Sequence, residues 1–303
     1  MKRPLPYILG LTLLAALLSH APASALGQAA AGAGSSVAAK PDVTVSLTGG
    51  KGRVSVRGWD REEVGAASDN AGRIELRRAD ESRVSEPAAR VEVVLSPHDS
   101  GVDLNVPRGA TVRLRVGGEV SVSGVAEVEV EAAGGNVYLR GISRATEVSS
   151  LGNTVVKDST GRILIRNVGG MVEVADVRPT SANDNVQVTT VGGDCILERI
   201  GHTRLDVETV TGNLTLIGAP AASARYQLRT TSGDVRVVLP ADASFQVNGR
   251  FGESGEFASE FPLRRQSGAG SAGSRRVVGT YGSGDATLNL TSFNGSVRLR
   301  RKS

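Results

Sequence analysis

Two carboxylate pairs come nearest to chemistry by residue type and spacing: Glu173 with Asp176, and Asp206 with Glu208. Glycoside hydrolysis needs two carboxyl groups converging on one bond, one to give a proton and one to attack or to activate water. Outward carboxylates are equally what a solvated surface carries. Sugar-binding clefts also offer aromatic platforms, and the candidates Trp59, Tyr138, Tyr226 and Tyr281 are scattered along the chain. Nucleophilic catalysis needs a base beside its nucleophile. The histidines are His20, His98 and His202, and the single cysteine is Cys195. His98 follows Pro97 and His202 follows Gly201, so both are expected as solvated turn residues. Cys195 is expected to face inward as a small hydrophobe, and no motif joins it to a histidine. For metals there is no CxxC, no HExxH and no EF-hand loop. Asn183-Asp184-Asn185 could offer oxygens to calcium, but reads first as a polar turn. Residues 268–273 match GxGxxG without the strand and helix that a dinucleotide site needs. Ser68-Asp69-Asn70 matches one β-lactamase fragment without its companions. The reading is therefore a non-enzyme with no catalytic, cofactor-binding or metal residues assigned. A carbohydrate-active β-helical hydrolase or lyase is the alternative.

The elements that would position any such group are short strands. Glycine makes up 38 of 303 residues, well above a usual ~7%, which calls for many tight turns. Aromatics are 3%, so Val, Leu, Ile and Ala must build the core. Val43, Val45 and Leu47 alternate with Thr44, Ser46 and Thr48, and Gly49-Gly50-Lys51-Gly52 turns the chain into Val54 and Val56. That unit recurs. The glycine before the second strand falls at Gly118, Gly135, Gly152, Gly170, Gly193, Gly212 and Gly233, at intervals of 17, 17, 18, 23, 19 and 21. Asn153, Asp194, Asn213 and Asp234 follow four of these corners, and their residue types tolerate turn geometry.

A unit of ~20 residues with two short strands cannot bury its own apolar side, and stacking the units does so. The fold expected is all-β, a parallel β-solenoid of Gly-cornered repeats, with about six coils over residues 118–239. An antiparallel sandwich or meander is its structural rival. Leu214 and Leu216 should face in and Thr215 out. Residues 61–116 fit the repeat poorly and read as irregular first coils. Residues 250–280 are Gly/Ser-rich and read as a loop excursion. The basic end Arg300-Arg301-Lys302 reads as an edge guard.

The start of the chain reads as a signal peptide over 1–25. Lys2 and Arg3 precede a 12-residue apolar run at 7–18, and Ala23-Ser24-Ala25 has the small-x-small form of a cleavage site. Residues 26–41 read as a flexible leader and 42–303 as one domain. No other stretch is long and apolar enough to cross a membrane as a helix. Losing Lys2 and Arg3 takes the formal charge from +4 to +2, which with export argues against a nucleic-acid partner. One cysteine allows no internal disulfide. Arg162, Arg166, Arg204, Arg225, Arg229 and Arg236 are outward candidates that stacking could bring into columns against an anionic partner, since arginine pairs well with carboxylate and phosphate.

These patterns lead to a resemblance. Gly52-Arg53-Val54-Ser55-Val56-Arg57-Gly58-Trp59-Asp60-Arg61-Glu62-Glu63-Val64 resembles the opening signature of the bacterial putative-adhesin family of unknown function. Val102-Asp103-Leu104-Asn105-Val106-Pro107-Arg108-Gly109-Ala110 is similar to the family's strand and turn before its repeats. Thr230-Thr231-Ser232-Gly233-Asp234-Val235 and Tyr281-Gly282-Ser283-Gly284-Asp285-Ala286 resemble its threonine-serine-glycine corner. The resemblance spans about 42–300. It implies an exported or envelope-attached β-helical fold with an adhesive or scaffolding role in the periplasm or at the cell surface, and it carries no catalytic residues. The partner expected is an envelope or extracellular surface component.

Overall fold

The computed structural model describes residues 35–68, 74–80, 86–95, 101–253, 255–265 and 275–302. The expected signal peptide, His98, Asp69, Asn70 and the glycine-rich run 268–273 lie outside them. All regular structure among the described residues is strand.

Alternating apolar and polar residues give each strand one inward side, and corners return the chain to the next layer. β1 (Ser35–Thr48) and β2 (Val54–Trp59) make the first coil in sequence. β3 (Glu63–Ser68), β4 (Ile74–Arg78), β5 (Ala88–Leu95) and β6 (Val102–Pro107) follow. Seven regular coils come next. They pair β7 (Thr111–Val116) with β8 (Val120–Ser123), β9 (Glu127–Ala132) with β10 (Val137–Arg140), and β11 (Ala145–Ser150) with β12 (Thr154–Lys157). They continue as β13 (Arg162–Asn167) with β14 (Val172–Val177), β15 (Val186–Gly192) with β16 (Cys195–Ile200), β17 (Arg204–Thr211) with β18 (Leu214–Ile217), and β19 (Arg225–Ser232) with β20 (Val235–Leu239). The last strands are β21 (Phe245–Phe251), β22 (Phe257–Ser259), β23 (Arg264–Arg265), β24 (Arg276–Tyr281), β25 (Ala286–Asn294) and β26 (Val297–Arg301).

The first strands of the coils stack in parallel as face I, and the second strands as face II. Register is direct: Cys195, Leu214, Val235 and Val297 form one inward column of face II. Leu214 is 0% and Leu216 2% exposed, with Thr215 partly exposed. The six coils expected over 118–239 are β9 to β20. The coil of β7 and β8 is equally regular, so the repeat starts earlier than the sequence reading placed it.

Both ends stack out of sequence order. β1 pairs with β5 on one side and β7 on the other, and β2 likewise with β6 and β8. The coil of β5 and β6 is therefore the outer layer. At the other end β25 sits between β19 and β21, and β26 between β20 and β22. This gives eleven stacked coils, or ~48 Å at ~4.8 Å per step. Antiparallel strands finish the rims: β4 on β5, β3 on β6, the start of β1 on β3, β24 on β21, and β23 on β24. Three expectations are corrected here. The leader is strand from Ser35 on, because pairing with β3 gives that backbone partners and buries Ala39. The excursion 250–280 contributes the outer layer through β22 and rim strands through β23 and β24. The basic end is no edge guard, since β26 lies inside the stack.

Two corner columns bend the chain. After face I, Asn136, Asn153, Asn213 and their acidic counterparts tie corner to corner in two runs, interrupted at Met171. Asn136 Oδ1 accepts from the Asn153 N–H at 3.1 Å, and Asn153 Oδ1 from Met171 N–H at 2.9 Å. Asp194 Oδ1 accepts from Asn213 N–H at 2.8 Å, Asn213 Oδ1 from Asp234 N–H at 3.0 Å, and Asp234 Oδ1 from Ser296 N–H at 2.9 Å. These residues do more than tolerate a turn; they satisfy amides that the strand ladder leaves open. After face II, Gly124, Gly141, Asp158, Asp176, Arg199 and Gly218 all have positive φ. Each left-handed residue flips the in–out parity, so Ile142, Ser159, Val177 and Ile200 turn inward.

Candidate binding face

The carboxylate pairs do not form a catalytic site. Glu173 bonds Lys157 Nζ at 2.7 Å, and Asp176 takes Arg199 Nε and Nη2 at 2.5 and 2.6 Å. The Arg199 hydrogen bonds hold the Asp176 carboxyl below its usual range. Both belong to face II, whereas Asp206 and Glu208 project from β17 on face I. Asp206 Oδ1 accepts from Gln227 Nε2 at 3.2 Å.

The other candidates are also placed by the coils. Cys195 is buried as expected, and burial pushes its thiol up to about 12. His202 is not a solvated turn residue: it is 0% exposed. Arg199 flips the parity just before it, so Ile200 and then His202 point inward. Its Nε2 lies 2.7 Å from the Gly161 carbonyl, and burial lowers its pKa. Asp184 closes its own turn, accepting from Thr180 N and Oγ1 at 2.7 and 2.8 Å and from Ser181 N and Oγ at 2.7 and 3.1 Å. Burial works to raise its pKa, but those hydrogen bonds outweigh it and hold the carboxyl at about 2. Among the described residues no cluster of His, Cys, Asp and Glu could hold a metal ion. The aromatic candidates make no platform. Tyr226 is in the core, with its hydroxyl 2.9 Å from the Ile200 and His202 carbonyls. Tyr281 packs against Phe245 and Phe261 at 5.7 and 4.8 Å between ring centres. Trp59 donates to the Glu63 carbonyl at 2.8 Å, and Tyr138 stands on face II.

Face I changes character along its length. In the early coils four outward arginines meet a glutamate of a neighbouring coil: Arg113–Glu129 at 3.1 Å, Arg115–Glu131 at 3.2 Å, Arg144–Glu127 at 3.5 Å and Arg166–Glu147 at 2.9 Å. Among the described residues Arg204 of β17 and Arg225 and Arg229 of β19 make no ion pair, and neither does Arg162 at the start of β13. Arg204 stands directly beside Arg225 in register, with Asn185 and then Arg162 continuing the same column one and two coils earlier. Arg204 only donates to the Asn183 carbonyl at 2.8 Å. Like charges facing each other across a sheet repel. A depression of ≈ 300 Å³ lies against this column, lined by Asn185, Arg204, Asp206, Arg225 and Gln227. Arg236 belongs to face II, in register with Arg298, and takes no part. Composition named the arginines; only register shows which of them a carboxylate already neutralises.

Residues 36–300 match the Toastrack DUF4097 family. No curated protein matches the chain. Two solved structures are similar in part. One is described as a putative cell adhesion protein from Clostridium sporogenes, 12% identical, covering 89% of this chain and 99% of that one with a TM-score of 0.25. The other is described as a putative adhesin from Parabacteroides distasonis, 8% identical, covering 88% and 95% with a TM-score of 0.28. Overlaps this low carry no argument, and the fold stands on its own strand register.

Proposed function

The chain belongs to the Toastrack DUF4097 family, and from that premise we propose that it is a non-enzymatic binding or structural module of the cell envelope or cell surface. Its export signal ends at residue 25, and its solenoid holds an anionic envelope component along the late coils of face I. The observation that carries this reading is the contrast in charge pairing: glutamates neutralise Arg113, Arg115, Arg144 and Arg166, and among the described residues the column Arg162, Arg204, Arg225 has no carboxylate paired to it. A guanidinium presents a planar fork suited to carboxylate and phosphate oxygens. Neighbouring coils are ~4.8 Å apart, so a polymer with regularly spaced anionic groups meets several forks at once. The contacts are solvent-exposed and therefore salt-sensitive.

Co-sedimentation of the purified protein with envelope fractions tests this at low and high salt. The wild type should bind at low salt and release at high salt. The triple variant Arg162→Glu, Arg204→Glu, Arg225→Glu should not bind at either. Binding indifferent to both changes refutes the reading. Turnover of an envelope polysaccharide by the wild type would put the hydrolase or lyase first.

A further inference from the structure

A ridge of exposed, mostly apolar side chains runs along the corner where face I ends. The register Ser150, Asn167, Thr190, Thr209, Thr230, Ser292 lies just inside it. One residue further on stand Leu151, Val168, Val191, Val210, Thr231 and Phe293, one per coil. Leu151 is 50%, Val168 51%, Val191 55%, Val210 47% and Phe293 62% exposed. Soluble surfaces rarely repeat a large apolar residue in one line without covering it. Toward the early coils the ridge gives way to small residues, Ala133 and then Gly117. A groove of ≈ 570 Å³ opens there, lined by Val116, Ala132, Ala133 and Leu151 with Arg115 and Glu131 at its side.

We infer that two copies of this chain pack antiparallel along this corner, about a twofold axis at Val191. Count coils from Val191. Val168 is one coil before it and Val210 one after, so each meets the other across the axis. Leu151, two before, meets Thr231, two after. Ala133, three before, meets Phe293, three after. The most exposed ridge residue of one copy thus enters the hollow of the other, and symmetry makes this happen twice. The outward residues flanking the ridge on face I agree. Arg166, which Glu147 already pairs at 2.9 Å within its own chain, stands one coil before the axis and meets Glu208, one coil after. The one like-charged meeting, Arg115 with Arg250, falls at the rim, where Glu131 already pairs Arg115 at 3.2 Å.

A parallel pairing would set Phe293 against Phe293 and leave both hollows empty. The area fits a weak, concentration-dependent dimer. About an axis at Val191 the two copies overlap from β7 to β21, eight coil steps or ~38 Å, and a strip four to five residues wide gives ~15 Å. That is about 580 Å² per copy or ~1,150 Å² in total, below the ~800 Å² per copy of a standard interface but above the ~1,000 Å² total that a specific one should clear. The ridge alone, six coils long, would be too small. The pairing is independent of the proposed anion binding. Arg162, Arg204 and Arg225 stand at the far side of face I, six strand residues or ~20 Å from the ridge, and remain open in both copies.

Sedimentation velocity over a dilution series tests the association. The wild type should dimerise, and Phe293→Ala, which empties both hollows, should weaken the dimer about 100-fold or more. Cysteine linking tests the geometry. Under mild oxidant Val191→Cys should link copy to copy, because it faces itself on the axis. Leu151→Cys should not link alone, but should link when combined with Thr231→Cys. The native Cys195 is buried and gives no background. Circular dichroism of each variant should keep the wild-type β signal, since every position changed is exposed. A wild type that stays monomeric throughout overturns the inference, as does linking through Leu151→Cys alone. The triple arginine variant should still dimerise, which separates this outcome from failure of the proposed function.

Discussion

Replacing Leu214 by Asp tests the inward register at its centre. Leu214 is 0% exposed, between Cys195 and Val235 in its column. Losing a buried leucine side chain forfeits ~2–3 kcal/mol of apolar burial. An ionised carboxylate would not persist there, so the new group would protonate. From an ordinary pKa of ~3.9, protonation at pH 7 costs ~4 kcal/mol at 1.36 kcal/mol per unit. A neutral acid without a hydrogen-bond partner adds ~1–3 kcal/mol. The sum, ~7–10 kcal/mol, is as large as the whole stability of an ordinary domain, ~5–15 kcal/mol. Leu214→Asn shares every contribution except protonation. Urea denaturation at pH 7 should therefore place Leu214→Asp ~4 kcal/mol below Leu214→Asn. The gap should close as pH falls toward ~4, where the unfolded chain is protonated too. Thr215→Asp, on the outward side, should stay within ~1 kcal/mol of wild type. If Thr215→Asp proves the more damaging, the register is wrong by one residue. If the Asp and Asn variants are equal at pH 7, the interior is wet and the reasoning fails.

His202 sets a pH dependence. Burial lowers its folded pKa from the ordinary 6.5, with the Gly161 carbonyl bond and the nearby Asp184 charge pulling the other way. As pH falls below 6.5 the unfolded chain takes up its proton first, so stability is full above that value and declines below it, by at most ~1.4 kcal/mol per pH unit. Urea midpoints between pH 7.5 and 5 should show this decline in the wild type and in His98→Gln, and its loss in His202→Gln; a decline that survives in His202→Gln refutes the assignment. Two glycines should differ sharply on substitution by alanine. At Gly161, with φ +87°, an added Cβ would lie 1.7 Å from the Arg144 carbonyl oxygen, and at Gly49, with φ +95°, it would meet nothing within 4 Å. Thermal unfolding should show a loss of ~3 kcal/mol or more, or no folding, for Gly161→Ala, and ~1 kcal/mol for Gly49→Ala; equal losses would contradict the close stacking of the coils.

What was legible in the sequence is what each coil settles for itself. Alternation in Leu214-Thr215-Leu216 reports which side is apolar, and the corner glycines report where the chain returns. The burial of Cys195 followed from its place in that alternation. His202 was misread because parity changes at Arg199, and nothing in an arginine announces a left-handed backbone. Glycine at the equivalent Gly124, Gly141 and Gly218 does announce it. The end layers were illegible for a different reason. β21 alternates like any other strand, and only its partners, β24 and β25, place it as the outer layer. The unpaired arginine column and the corner ridge are likewise properties of register between coils about 20 residues apart, with no signature within one coil.

The capped ends of face I bear on where anything can bind. A parallel stack exposes a row of backbone donors and acceptors at each terminus, which would recruit further strands. Here the outermost parallel strands β5 and β21 are each followed by an antiparallel neighbour, β4 and β24, and the aromatic group of Phe245, Phe261 and Tyr281 packs beneath the late rim with Arg301 over Phe261 at 5.2 Å. On face I end-to-end growth would have to displace these strands; on face II the late end is β22, an edge only three residues long. Recognition is left to the sides, where a column repeats one chemistry per coil. Single contacts there are weak, so strength must come from number, and a column lengthens only by adding coils. An antiparallel pair of copies is the other route: it doubles the open arginine columns without another coil in either chain.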